Sequence, residues 1–249
     1  TQAGCSDTIS QIITISPPPL INFTMNDTCV NQTVSFVNQT VDPTPCTYTW
    51  NYGNGSPTTN VVNPTYTYPA AGTYNVSLIA ANQGGCIDTL IQPLVIYPLP
   101  NVNAGIDQSI CPGFPATLNA SGAVNYTWTY APGLMSSLYG ASVIASPVVT
   151  TNYSVTGISA QGCRSSTSIP VYFSNYPVVS FFTNVNAVCP GYSATAVGQG
   201  AISYFWRSSA LPQPLFGNSA TLPAGAYTLV GSNGGGCRDS LNFVIQALS

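Results

Sequence analysis

The sequence contains no lysine, no glutamate and no histidine. Its charge rests on three arginines (Arg164, Arg207 and Arg238) and six aspartates, 4% of 249 residues with a net of −3, where a globular chain carries about 25% charged residues. Clustered Lys and Arg, the electrostatic footprint of a nucleic-acid binder, are missing, and so is any basic segment to attract anionic lipid. Without His, Glu and Lys, three of the usual general acid–base groups are gone, and a Ser or Cys nucleophile would lack its base. There is no P-loop and no dinucleotide fingerprint. Cysteines without histidine and without a C-x-x-C pair imply no zinc site. No apolar run approaches the roughly 18 residues of a membrane span. Neither an initiator Met nor a signal peptide is present, so the chain reads as processed or excerpted. These absences predict a non-enzyme with no cofactor, no catalytic or metal site, no nucleic-acid partner and no membrane insertion.

What remains is enough to fold. The chain is 45% hydrophobic and 11% aromatic, which permits a core and argues against disorder. Its polarity comes from Thr, Ser, Asn and Gln. Eight cysteines in so uncharged a chain read as disulfides and an extracellular setting.

The chain repeats. Tyr48-Thr49-Trp50, Tyr126-Thr127-Trp128 and Tyr204-Phe205-Trp206 share one pattern, each Trp 78 residues after the last. Downstream lie GTYNVSL (72–78), TNYSVTG (151–157) and GAYTLVG (225–231), then GGC at Cys86, QGC at Cys163 and GGC at Cys237. Upstream of each Trp stand Cys29, Cys111 and Cys189. Between these markers, runs of five to eight residues alternate polar and apolar, rich in Val, Thr, Tyr and Ile and bounded by Gly, Pro and Asn, which is strand patterning. Units of this size with about seven short strands predict an all-β fold of tandem immunoglobulin-like sandwiches in a head-to-tail array. Prolines mark the joints at Pro17-Pro18-Pro19, at Pro98 and Pro100, and at Pro177, because a fixed φ stiffens a linker. The predicted domains are 17–98, 99–175 and 176–249. Residues 1–16 read as the last strand of a preceding copy, because Gly4-Cys5-Ser6-Asp7-Thr8 matches Gly85-Cys86-Ile87-Asp88-Thr89. In such a sandwich the third strand buries a Trp, so Trp50, Trp128 and Trp206 are core candidates, with Tyr74, Tyr153 and Tyr227 beside them.

The run TYTWNYGNG (47–55), followed by NPTYTYPAAGTYNVSLIAANQGGC (63–86), resembles the PKD domain, whose corresponding turn is close to W-D-F-G-D-G. Asn51 and Asn54 stand where that family has aspartate and would hold a hard cation poorly. Asn54-Gly55 predicts a tight hairpin turn with both residues at positive φ. Residues 102–128 and 150–163 resemble the Ig-like repeats of very large surface proteins in gliding Bacteroidota. That resemblance implies export by the type IX route, an outer-surface, outer-membrane-associated location, and a role in adhesion and gliding motility. It also implies O-glycosylation at Thr8, Thr89 and Ser240, which follow Asp7, Asp88 and Asp239.

Two disulfide schemes stay open. One bridge per unit gives Cys29–Cys86, Cys111–Cys163 and Cys189–Cys237. The sandwich topology objects, because the end of the first strand and the start of the last lie roughly 30 Å apart, and a disulfide needs Cα atoms within about 7 Å. Bridges between units give Cys29–Cys163 and Cys111–Cys237, with Cys46–Cys86 inside the first unit and Cys5 and Cys189 left for units outside the chain. The functional expectation is a structural section of a long secreted filament or adhesin. Its partners would be neighbouring repeats, other copies in a filament, or surface polysaccharide. The alternatives are glycan-binding accessory modules of a secreted polysaccharide-degrading enzyme, and a subunit that polymerises by donating residues 1–16.

Overall fold

The computed structural model describes residues 4, 7, 9–11, 17–209 and 211–248. The assignment of residues 1–16 to a last strand falls mostly outside the described residues, Cys5 and Thr8 included. Every regular element among the described residues is a strand. Three hydrophobic cores follow one another along the chain, built around Trp50, Trp128 and Trp206, each fully or almost fully buried. The chain divides into two compact units, 1–99 and 100–249; the second holds two of the cores.

Each core lies under a sheet of the same order. In the first domain the order is Thr28–Cys29, Ile87–Tyr97, Gly72–Asn82, Cys46–Asn51. In the second it is Gln108–Ile110, Arg164–Phe173, Thr151–Ile158, Asn125–Trp128. In the third it is Ala187–Val188, Arg238–Ala247, Gly225–Ser232, Ser203–Arg207, with Leu215–Phe216 added at the edge. The two longest strands of each sheet form an antiparallel hairpin. Its alternation is visible in burial: Val76, Leu78 and Ala80 face the core and Asn75 and Ile79 do not, the period of two that pleating imposes. A second, smaller sheet covers each core, as with Ala116–Asn119 on Ser142–Ala145 and Ser180–Thr183 on Ala194–Gln199 and Ser219–Leu222. This is the two-layer immunoglobulin-like sandwich.

One pairing positions everything discussed below. The short entry strand runs parallel to the last strand in all three domains: Cys29 opposite Tyr97, Ile110 opposite Phe173, Val188 opposite Ala247. The chain then reverses in a turn that begins at the cysteine. Cys111-Pro112-Gly113-Phe114 and Cys189-Pro190-Gly191-Tyr192 close with Phe114 N–H on Cys111 O (3.1 Å) and Tyr192 N–H on Cys189 O (3.0 Å). Proline supplies the second position, and Gly113 and Gly191, at φ 84° and 83°, supply the third. In the first domain Asn31 takes the same left-handed position at φ 64°.

The tight hairpin expected at Asn54-Gly55 is not formed. Gly53 and Gly55 have positive φ and Asn54 does not, so the chain makes a longer loop that returns to pair Thr59 with Trp50. The asparagine side chains hold that loop. Asn51 Oδ1 accepts Gly53 N–H (2.9 Å), Asn54 Oδ1 accepts Ser56 N–H (3.1 Å), and Asn54 Nδ2 donates to Tyr66 Oη (2.8 Å). These are Asx turns, which an amide forms as well as a carboxylate does.

Candidate functional site: the joint between the second and third domains

The hairpin of the third domain ends in Asn233-Gly234-Gly235-Gly236-Cys237. Asn233 Oδ1 accepts the N–H groups of Gly235 (3.1 Å) and Cys237 (3.0 Å), so one side chain folds the turn. Its Nδ2 donates to Asn175 O in the segment leaving the second domain. Gly235 packs so closely against that segment that a Cβ there would stand 2.0 Å from Ser174 Oγ and 2.5 Å from Ser174 Cβ. The turn is thus pressed onto the exit end of the domain before it.

A disulfide closes the contact. Cys111 and Cys237 are bonded, with Cα atoms 5.6 Å apart and 126 residues between them in sequence. Cys237 is buried and Cys111 half-buried. Tyr176 Oη donates to Pro112 O (3.3 Å) across the same place. The joint is therefore fixed by a covalent bond, a side-chain clasp and close backbone packing, whereas domain interfaces without such ties permit relative motion.

The first domain repeats the turn. Asn82 Oδ1 accepts Cys86 N–H (3.0 Å), and its Nδ2 donates to Pro17 O (2.9 Å) in the entering segment and to Asp42 Oδ2 (3.1 Å). Donors from Thr44, first its hydroxyl and then its N–H, and from Asn82 hold the Asp42 carboxyl below its ordinary range. In the second domain Ser159 replaces the asparagine and its Oγ accepts Cys163 N–H (3.2 Å). None of these three residues stood out in the sequence. The signal was there: Asn82 and Asn233 each lie four positions before the hairpin cysteine.

The other cysteines correct part of the expected pairing. Cys29 and Cys163 are each disulfide-bonded. Cys46 is a free thiol, its Sγ donating to Thr44 O (3.6 Å), so the expected Cys46–Cys86 bridge is not formed. Register gives the reason. Cys46 pairs with Asn82, and Asn82 in turn faces Cys86 across the hairpin end. Two strand spacings, roughly 9.6 Å, separate the cysteines, beyond the reach of a disulfide. Burial, with Asp42 nearby, raises the Cys46 thiol pKa. The one-bridge-per-unit scheme also fails. Cys111 is bonded to Cys237 rather than to Cys163, and Cys29 lies opposite Tyr97, a strand of 11 residues away from the end where Cys86 sits. Cys189 is an exposed free thiol.

The core candidates fall as follows. Trp50, Trp128 and Trp206 are buried. Trp128 Nε1 donates to Gly140 O (3.1 Å) and Trp206 Nε1 to Gly217 O (2.9 Å), while Trp50 Nε1 is buried without a partner. Tyr153 and Tyr227 are buried and Tyr74 is half-buried. Tyr74 and Tyr227 each donate from Oη to the carbonyl four residues back, Ala70 and Pro223, both at 2.9 Å, which is the tyrosine-corner geometry of this fold class. Tyr153 donates to Pro132 O (2.6 Å) instead. Thr89 and Ser240 are exposed, each with its N–H on the preceding aspartate at 2.8 Å. No group of three potential metal ligands occurs among the described residues.

Residues 16–94 match the PKD domain family. No curated protein matches the chain. Among solved structures, the PKD1 domain of Vibrio anguillarum Epp is 26% identical over 34% of this chain and 99% of its own, with a TM-score of 0.31. The PKD1 domain of the Vibrio cholerae metalloprotease PrtV is 28% identical over 32% of this chain and 98% of its own, with a TM-score of 0.30. Extracellular domains 3–5 of Drosophila OTK are 9% identical over 94% of this chain and 99% of their own, with a TM-score of 0.42.

Proposed function

We propose that this chain is a stapled section of a long, repetitive, secreted surface protein, a stalk that bears load or presents an adhesive tip. The observation that carries this reading is the Cys111–Cys237 bond between consecutive domains. A binding module needs no covalent tie to its neighbour. A stalk that has to stay stiff does. Disulfides persist in oxidising compartments, which supports an extracellular location. The resemblance of the repeats to gliding-motility surface proteins supports a type IX-exported adhesin of that kind as the specific setting.

Repeat equivalence extends the scheme. Cys29 occupies the position of Cys111, and Cys163 that of Cys237, and each is disulfide-bonded. Cys189 begins the same Cys-Pro-Gly turn as Cys111 and is exposed. It is the attachment point for the hairpin cysteine of a further unit.

The test is peptide mapping of unreduced protein, together with small-angle scattering before and after reduction. Linked peptides containing Cys111–Cys237, and a particle that becomes flexible on reduction, are the expected results. Scattering that shows the same flexibility with and without the bonds would overturn the stalk reading.

A further inference from the structure

Two of the three arginines in the whole chain stand on one exposed face, the outer side of the third domain's sheet. On the strand Ser203–Arg207, Tyr204 and Trp206 point into the core, so Phe205 and Arg207 point out. Register sets their neighbours. Phe205 lies beside Val230, which lies beside Ser240, and Arg207 lies beside Thr228, which lies beside Asn242. At the other end of the same face Ser203 lies beside Ser232 and then Arg238. Arg238 leans back until its guanidinium carbon is 5.9 Å from the Phe205 ring centre. On the edge strand Phe216 faces Phe205, ring centres 6.1 Å apart, and is 80% exposed. Phe205, Arg207, Val230, Arg238, Asp239 and Ser240 line a groove of about 260 Å³.

We propose that this groove binds a carboxylated polysaccharide, a uronic-acid polymer. The two guanidinium groups match carboxylates in the planar, bidentate way that arginine favours. Phe216, 80% exposed, offers an open aromatic face to the apolar side of a sugar ring, beside the half-buried Phe205. Ser240 offers a hydroxyl on the Phe205 row, and the hydrogen-bonded pair Thr228–Asn242 and Ser232 bring further polar groups to the rows of Arg207 and Arg238. Asp239, at the groove's end, repels one anionic segment and selects against a ligand of dense charge. Phe216, 80% exposed, is not a core residue.

The second domain is an internal control. It has the same sheet, with Arg164 in the place of Arg238. However, Thr127 and Thr129 stand where the third domain has Phe205 and Arg207, and the partner of Thr127 across the edge is Tyr139. Both the central aromatic and the second cation are missing there, so this face binds nothing comparable. The assignment is independent of the stalk reading.

The test is a titration of the whole chain with polygalacturonate, followed by affinity electrophoresis or calorimetry. Binding that weakens with added salt is expected. Arg207→Gln and Arg238→Gln should each weaken it about tenfold, the loss of one charge-assisted contact. Phe216→Ser should weaken it as well, and Arg164→Gln should leave it unchanged. These positions are exposed, and an unaltered melting temperature shows that the variants fold. Absence of polygalacturonate binding would overturn the proposal, as would binding by Arg207→Gln and Arg238→Gln as tight as that of the unaltered chain. Tighter binding of neutral dextran, dextran sulfate or polyglutamate would overturn the assignment of ligand class.

Discussion

Cys111 and Cys237 are 126 residues apart in sequence and 5.6 Å apart at Cα, and the bond between them ties the exit of one domain to the hairpin turn of the next. Closing a loop of that length restricts the unfolded chain by up to about 5 kcal/mol. Cys111→Ser with Cys237→Ser should lower the denaturant midpoint of the second and third domains and leave that of the first domain's Trp50 core unchanged. Domain-resolved hydrogen exchange checks both halves.

Gly235 tests the packing part of the joint without touching the bond. Gly235→Ala places a methyl 2.5 Å from Ser174 Cβ, where neither backbone segment has a flexible end to move. The expected result is a strained joint. Its disulfide should be reduced several-fold faster by a mild thiol while the Trp206 core stays intact. Gly234→Ala, with only Ile202 Cδ1 at 3.7 Å, should behave as the unmodified protein.

The three tryptophans differ in one bond. Trp128→Phe and Trp206→Phe each leave a carbonyl, Gly140 or Gly217, without its donor. Trp50→Phe removes an Nε1–H that is already unpartnered. The Trp50 substitution should therefore cost about 1 kcal/mol less than the other two. Chemical unfolding of each variant, followed domain by domain, measures the difference.

Alkali should loosen the first domain. Tyr68 is fully buried, its Oη donating to Tyr52 O (2.9 Å). Burial, and then the nearby Tyr66, Tyr52 and Tyr74, push its phenol pKa well above the ordinary value. A folded-state pKa above the unfolded one means that this contribution to stability is whole below about pH 10 and declines as pH rises past it. Tyr68→Phe cannot ionise. It should start less stable at neutral pH by one hydrogen bond and lose less than the parent at about pH 11, as denaturant midpoints at the two pH values will show.

Much of the fold was legible because it repeats. The recurring Tyr-x-Trp step located the buried strand three times over, and the recurring runs 72–78, 151–157 and 225–231 located a second strand in each domain. Cys46 was misread because sequence shows which end of a sheet a residue occupies but not how many strands lie between. Asn54-Gly55 was misread because the dipeptide is sufficient for a tight turn, yet here Gly53 carries the left-handed position and the asparagines cap a longer loop. The groove around Phe205 was not legible at all. Phe205, Phe216 and Arg238 lie far apart in the chain, and only cross-strand register brings them together. Its trace in sequence is the Phe205 that replaces threonine in the third Tyr-x-Trp motif.

The bond at the joint also reroutes the chain. Tension entering the second domain through residues 101–111 has a covalent shortcut across Cys111–Cys237 and leaves along the strand Arg238–Ala247. Residues 112–236 hang outside that line. At no more than ~3.6 Å per residue they hold roughly 450 Å of chain, a hidden length that pulling cannot pay out while the bond survives and that a single reduction event would release.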